Sequence, residues 1–171
     1  MAIQNFEDLE IWKVARGLTQ TIYRLSKAEK FSKDFALRDQ LRRATVSIMS
    51  NIAEGFERGG NQEFSQFLYV AKGSCGEVRS QIYVALDQEY IEQNVAHGVL
   101  ATLKRLSVMI KHLIDHLKRS GMRGRSTAIQ TGRVLPKRVE RLEQLERLEH
   151  VFCNWLTDWN LRNDQNGRQA I

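Results

Sequence analysis

The sequence predicts an all-α protein: an antiparallel up-down four-helix bundle, then a flexible linker and one further amphipathic helix. Three observations carry this expectation. Four stretches within the first 120 residues repeat apolar residues at alternating spacings of three and four, the period of a helix that buries one stripe. No stretch of comparable length alternates as a strand does. The single proline among the 171 residues, Pro136, falls beyond all four stretches, so nothing breaks them.

The first helix is expected to be capped by Asn5, with Glu7 and Asp8 facing its positive end and Ile11, Ala15, Leu18, Ile22 and Leu25 on its buried face. The second is expected from about Asp34 to Phe56, with the stripe Leu37, Leu41, Ala44, Ile48 and Ile52, stopping where Gly55, Gly59 and Gly60 gather. Asn61 is the expected cap of the third. Its stripe, Phe64, Leu68, Ala71, Cys75, Val78, Ile82 and Ala85, keeps a strict alternation throughout. The fourth follows a connection near Tyr90 to Asn94 and carries Val95, Val99, Thr102, Leu106, Met109, Leu113 and Leu117 before Ser120 and Gly121. Short links force neighbouring helices antiparallel, and four such helices close into a bundle. Gly73 and Gly76 weaken the third helix, which suggests that something packs closely against them; Gly17 and Gly98 invite the same reading.

The expected domains are 1–120 for the bundle, 121–135 for a basic linker rich in Gly, Ser and Thr, and 136–171 for a last helix with a frayed tail. That last helix opens at Pro136 and presents Leu142, Leu145, Phe152, Leu156 and Trp159 on one stripe, with Trp155 beside it. It is suited to docking on the bundle, on a copy of itself or on another protein.

Composition narrows the function. The chain has 26 Lys+Arg against 20 Asp+Glu, a net +6. From Lys104 to Arg138 there are ten basic residues and one acid, so this window is +9 and the remainder is −3. A second concentration around the first connection, from Arg24 to Arg43, is +4. Concentrated positive charge suits a polyanion, chiefly nucleic acid, or simply a solvated face. The residues expected to meet nucleic acid are Arg42, Lys104, Arg105, Lys111, Lys118, Arg119, Arg123 and Arg125. Few aromatic residues interrupt the basic window, so contacts to the phosphate backbone with weak sequence preference are expected. No apolar run approaches the roughly 20 residues that span a bilayer, and Glu7, Asp8 and Glu10 occupy the place of a signal peptide, so a cytoplasmic location away from membranes is expected.

Beside the apolar stripe of the second helix, Gln40, Arg43, Ser47, Asn51 and Glu54 recur at helical spacing, with Gly55 after them. Such a seam is either a binding groove or a hydrogen-bonded network between helices or subunits, with Arg43 and Glu54 as candidate charged partners. The structural reading is preferred, because polar groups near a core must be satisfied. His112 and His116 stand one helical turn apart, a spacing that can hold a metal, but no further His or Cys is near in sequence. The glycines from Gly55 to Gly60 follow a helix and lack Gly-Lys-Ser/Thr, so they do not form a phosphate loop. Ser74 lacks the strand-to-helix elbow of a hydrolase nucleophile. Cys75 and Cys153 offer neither a disulfide framework nor zinc spacing. No cofactor, metal or enzymatic activity is expected.

The run from Leu41 to Gly55, Leu-Arg-Arg-Ala-Thr-Val-Ser-Ile-Met-Ser-Asn-Ile-Ala-Glu-Gly, with Glu63-Phe64, Phe67-Leu68, Ala71-Lys72-Gly73-Ser74 and Glu77-Val78 after it, resembles the bacterial four-helix bundle family of 23S rRNA intervening-sequence proteins. The opening Phe6-Glu7-Asp8-Leu9 with Trp12 and Ala15 is similar too, and the likeness covers about residues 5–120. It implies a bundle that assembles as a homopentamer without a cofactor, with nucleic-acid binding proposed for its members. It also implies kinship with the accessory protein of diversity-generating retroelements, which binds a reverse transcriptase and nucleic acid. A protein-interaction adaptor of that kind is the alternative function. The family motif carries over as Arg43, Ser47, Asn51, Glu54 and Gly55. The sequence departs from the pattern at Phe31-Ser32-Lys33, where a proline is usual, and after Gly121, where the resemblance gives no reading.

Overall fold

The computed structural model describes residues 3–121. A 3-10 turn, Phe6–Asp8, leads into α1 (Glu10–Leu25); α2 (Glu29–Lys33) is a short helix; α3 (Phe35–Glu57), α4 (Asn61–Asp87) and α5 (Gln93–Gly121) are long. No described residue forms a strand. Of the expected linker at 121–135 only Gly121 is described, as the last residue of α5; the rest of it and the expected helix at 136–171 lie outside the described residues.

Side-chain pairs give the direction of each helix. Thr19 Oγ1 lies 3.1 Å from Met49 Sδ, and Arg42 Nε donates to Ser26 Oγ at 2.8 Å, so seven residues up α1 match seven down α3. Ser47 Oγ lies 3.0 Å from Ser74 Oγ, and Gly55 packs on Phe67, so α4 runs back along α3. Asn61 Nδ2 donates to Ser120 Oγ at 3.2 Å, and Lys118 Nζ donates to Tyr69 Oη at 2.9 Å, which joins early α4 to late α5. Since α1 also packs on α5, α1, α3, α4 and α5 close a four-helix bundle around one core.

The seven residues of the α4 stripe are all buried, as are Ile11, Ala15, Leu18 and Ile22 of α1 and Leu41, Ala44, Ile48 and Ile52 of α3. In α5 the expected stripe matches the core only in part. Leu103, Ile110 and Ile114 are buried, whereas Thr102, Met109 and Leu113 are only half-buried. That helix carries two adjacent apolar columns, and the core draws on both: Val95, Val99, Leu106 and Leu117 are buried as expected.

The ends are cut differently from expectation. Asn5 precedes the 3-10 turn without a side-chain cap, and α1 starts only after Leu9. Leu9 is buried and Phe6 packs edge-on to Trp12 with ring centroids 5.1 Å apart, so apolar burial at this corner demands a turn before the helix. Asp34 caps α3, its Oδ1 accepting from Leu37 N at 3.0 Å. Asn61 is the first residue of α4 rather than its cap, its side chain turned to Ser120. α3 stops on Gly59, whose φ of +74° is natural only to glycine.

α4 ends in a Schellman arrangement: Tyr90 N donates to Ala85 O and Glu89 N to Leu86 O, both at 2.9 Å. Glu89 occupies its left-handed position at φ 55°, where a Cβ is disfavoured. Glu89→Gly is therefore expected to raise stability by about 0.5–1 kcal/mol despite the added freedom of the unfolded chain; urea denaturation at an unchanged slope measures it.

The glycine expectation fails at Gly17, Gly73 and Gly76. All three are exposed, and no side chain or neighbouring backbone lies within 4 Å of where a Cβ would stand. Close approach occurs instead at Gly55, against Phe64 and Phe67.

Candidate nucleic-acid interface

Lys104, Lys111 and Lys118 follow one another at intervals of seven on α5, all three exposed. Seven residues are two turns, so these lysines form one row on a helix packed in a bundle. On α4, Tyr69, Gly76 and Tyr83 are also seven apart and exposed. The two rows meet across the α4–α5 seam. Lys118 Nζ bonds to Tyr69 Oη and lies 5.0 Å from its ring centre, the Tyr69 phenol also acts on Lys111, and the antiparallel run of the two helices carries Gly76 and Tyr83 on toward Lys104. Lys72 and Arg79, half-buried on the α5 side of α4 at the same interval, complete the face. Arg79 Nε is buried without an acceptor among the described residues.

The facing stretches 69–83 and 104–118 hold six Lys/Arg and two acids, a net +4. One acid, Glu77, turns toward α3, accepting from Gln81 Nε2 at 3.1 Å. The other, Asp115, pairs with Lys111. The hydrogen bond from Lys111 holds the Asp115 carboxyl below its ordinary range, and Asp115 in turn raises the Lys111 ammonium, with the Tyr69 phenol adding a smaller push. Both groups are about half exposed, so salt screens the pair.

The other residues expected at an interface divide. Arg119, exposed on α5, bonds through Nε to Asp115 O at 3.2 Å. Arg105 is half-buried on the same helix. Arg42 sits between α1 and α3, its guanidinium bonded to Ser26 Oγ and O and 4.9 Å from the Tyr23 ring centre. Arg123 and Arg125 lie outside the described residues. The aromatic residues missing from the basic window come from α4, where sequence reasoning did not look. The seven-residue spacing of the lysines was visible; their tyrosine partners depend on the register.

The polar seam of α3 is a network rather than a groove at its centre: Asn51 Nδ2 donates to Ser47 O at 2.7 Å and lies 3.1 Å from Ser47 Oγ, which meets Ser74. Glu54 pairs with Arg58 at 2.7 Å, not with Arg43. Arg43 is exposed beside Asp39, whose carboxyl is held low first by its hydrogen bond from Arg38 and more weakly by Arg43. Gln40, also exposed, lines a shallow cleft of about 500 Å³ with Leu37, Glu77 and Gln81. Gly55 is buried against α4.

His112 and His116 are exposed, and no cluster of three or more His, Cys, Asp or Glu able to hold a metal occurs among the described residues. Cys75 is fully buried, and burial pushes its thiol up to about 12 against the smaller opposing effects of Lys72 and Arg79. The thiolate is the reactive form, so Cys75 is expected to resist iodoacetamide at pH 8 in the native protein and to react once unfolded in urea. Peptide mass mapping reads both.

Fold and surface together define a four-helix bundle protein with a basic, tyrosine-bearing seam. The family model for the 23S rRNA-intervening sequence protein matches residues 7–112, and the chain belongs to that family. Among solved structures, the chain is similar to a protein of unknown function from the S23 ribosomal protein family of Bacteroides thetaiotaomicron. The two share 19% identity at a TM-score of 0.57, over 61% of this chain and 97% of that one. No curated protein matches. No described helix is long and apolar enough to cross a membrane.

Proposed function

We propose that this protein is a non-enzymatic, oligomeric nucleic-acid-binding bundle whose α4–α5 seam holds the phosphate backbone. The carrying observation is the row Lys104, Lys111 and Lys118, reinforced across the seam by Lys72 and Arg79. A linear array of cations repeated every two turns matches a polyanion, where scattered surface charge does not. Oligomerisation is assigned to the other flank of α4. There Val70 and Val84 are exposed. A homopentamer is the proposed assembly. If each subunit lends five cations, the logarithm of the binding constant falls with the logarithm of salt at a slope of roughly −3.5 to −4.5 per occupied subunit.

Titration of the full chain against a labelled duplex and a labelled single strand at several salt concentrations tests this. Lys104→Glu, Lys111→Glu and Lys118→Glu combined should lose at least about 100-fold and flatten the salt slope. Asp115→Asn, which releases Lys111, should tighten binding about two- to fivefold. An absence of binding at low salt would sink the proposal. The oligomer mass, measured with and without nuclease, checks the assembly.

A further inference from the structure

The same seam carries more than charge. Tyr69 and Tyr83 are 45% and 46% exposed, and they stand at matching heptad positions about 21 Å apart along α4. Between them Gly76 is exposed, with no side chain and no backbone of another helix within 4 Å of where a Cβ would be. A glycine inside a helix costs about 1 kcal/mol relative to alanine, and packing within the chain does not require this one. Its effect is a gap between two rings. We infer that the seam takes an unpaired nucleic-acid strand: bases stack on the Tyr69 and Tyr83 rings while phosphates follow Lys118, Lys111 and Lys104, the backbone passing close to the helix at Gly76.

The chemistry separates this from binding by charge alone. A duplex keeps its bases stacked on one another and offers phosphates, whereas an unpaired strand offers base faces as well. Lys118 already shows how Tyr69 receives a planar or cationic neighbour, standing 5.0 Å from its ring centre while bonding to its hydroxyl. Half-buried Arg79 stands between the two tyrosines along α4 and adds positive charge beside the seam. Stacking is tolerant of sequence, since every base has a π-face, so preference should follow strandedness and length more than sequence.

The inference rests on the nucleic-acid reading above, and the experiment separates the two. The full chain is titrated against a 15-nucleotide oligo(dT), a 15-nucleotide oligo(U) and a 15-base-pair duplex at fixed salt. Single strands should bind at least fivefold more tightly than the duplex. Tyr69→Ala and Tyr83→Ala should each weaken single-strand binding about fivefold or more, and together about 25-fold, with duplex binding within twofold of the parent. Tyr69→Phe and Tyr83→Phe keep the rings and should stay within twofold on single strands. Circular dichroism confirms that each variant is folded. Agreement of the two single strands within threefold assigns recognition to phosphate and ring faces, whereas a tenfold gap in favour of oligo(U) assigns it to RNA; either outcome supports an unpaired ligand. If the alanine variants bind single strands like the parent, or lose duplex equally, stacking is overturned while the charge reading stands. If the parent binds none of the three, both fall.

Discussion

Replacing Phe31 with alanine is expected to lower stability by about 3–5 kcal/mol, the range for a large aromatic truncated in a core that cannot collapse around the loss. Phe31 is fully buried although it sits in a five-residue helix that could not persist alone. Its ring stacks on Tyr90, centroid to centroid 5.2 Å and 22° from parallel, and Tyr90 reaches Asp34 Oδ2 through its hydroxyl at 3.3 Å. Asp34 is the cap of α3. One side chain therefore ties the first connection to the α4–α5 connection and to the start of α3. The loss should lower the melting temperature by roughly 10–20 °C in a domain of this size. A double-mutant cycle with Tyr90→Ala should return about 0.5–1.5 kcal/mol of coupling for the stacked pair. A melting temperature within 3 °C of the parent would show that the connection is not part of the cooperative core.

How much of this was legible in the sequence depends on what periodicity can encode. α4 came through whole because its apolar residues occupy a single column. In α5 the pairs Thr102/Leu103, Met109/Ile110 and Leu113/Ile114 place two columns side by side, and a three-four alternation fits either; only packing against α1 and α4 chooses Leu103, Ile110 and Ile114. α2 was missed because five residues are too few to show a period, and its whole contribution is one phenylalanine. Arg43 and Glu54 share a face at a distance of eleven residues, but that is about 16 Å along the axis. Glu54 meets Arg58 one turn away. Residue spacing reports direction around a helix, not reach along it.

The candidate seam shows the same limit from the other side. The lysine row is written in α5 alone, and the tyrosine row in α4 alone. That Tyr69 stands beside Lys118 follows from the register of two antiparallel helices, fixed by the short link Gln88–Glu92 and by the core they share. A basic window counted along the chain misses Tyr69, which lies 49 positions before Lys118 in sequence and is bonded to it in space.

Glycine is where one-dimensional reading was most misled, and Gly55 gives the second large effect. A Cβ at Gly55 would stand 2.6 Å from Phe67 Cβ and 2.9 Å from Phe64 Cδ2. Phe64 can turn its ring, but Phe67 Cβ is fixed to the backbone, so relief requires α3 and α4 to separate near their hairpin. Overpacking of this kind costs typically 1–3 kcal/mol, set against a gain of about 1 kcal/mol from alanine's helix propensity. The clash prevails, because the contact lies below any distance real Cβ atoms tolerate and the seam on either side is held by the buried Ile48, Ile52 and Leu68. Gly55→Ala should thus destabilise by up to about 2 kcal/mol, and Gly55→Val, with two more methyl groups, by more. Gly73→Ala, at an exposed helical position with open space, carries the propensity gain alone and should stabilise by up to about 1 kcal/mol. Opposite signs for one substitution at two helical glycines are the test. Equal stability of Gly55→Ala and Gly73→Ala in urea would mean that α3 and α4 do not approach as closely at Gly55 as the packing of Phe64 and Phe67 requires.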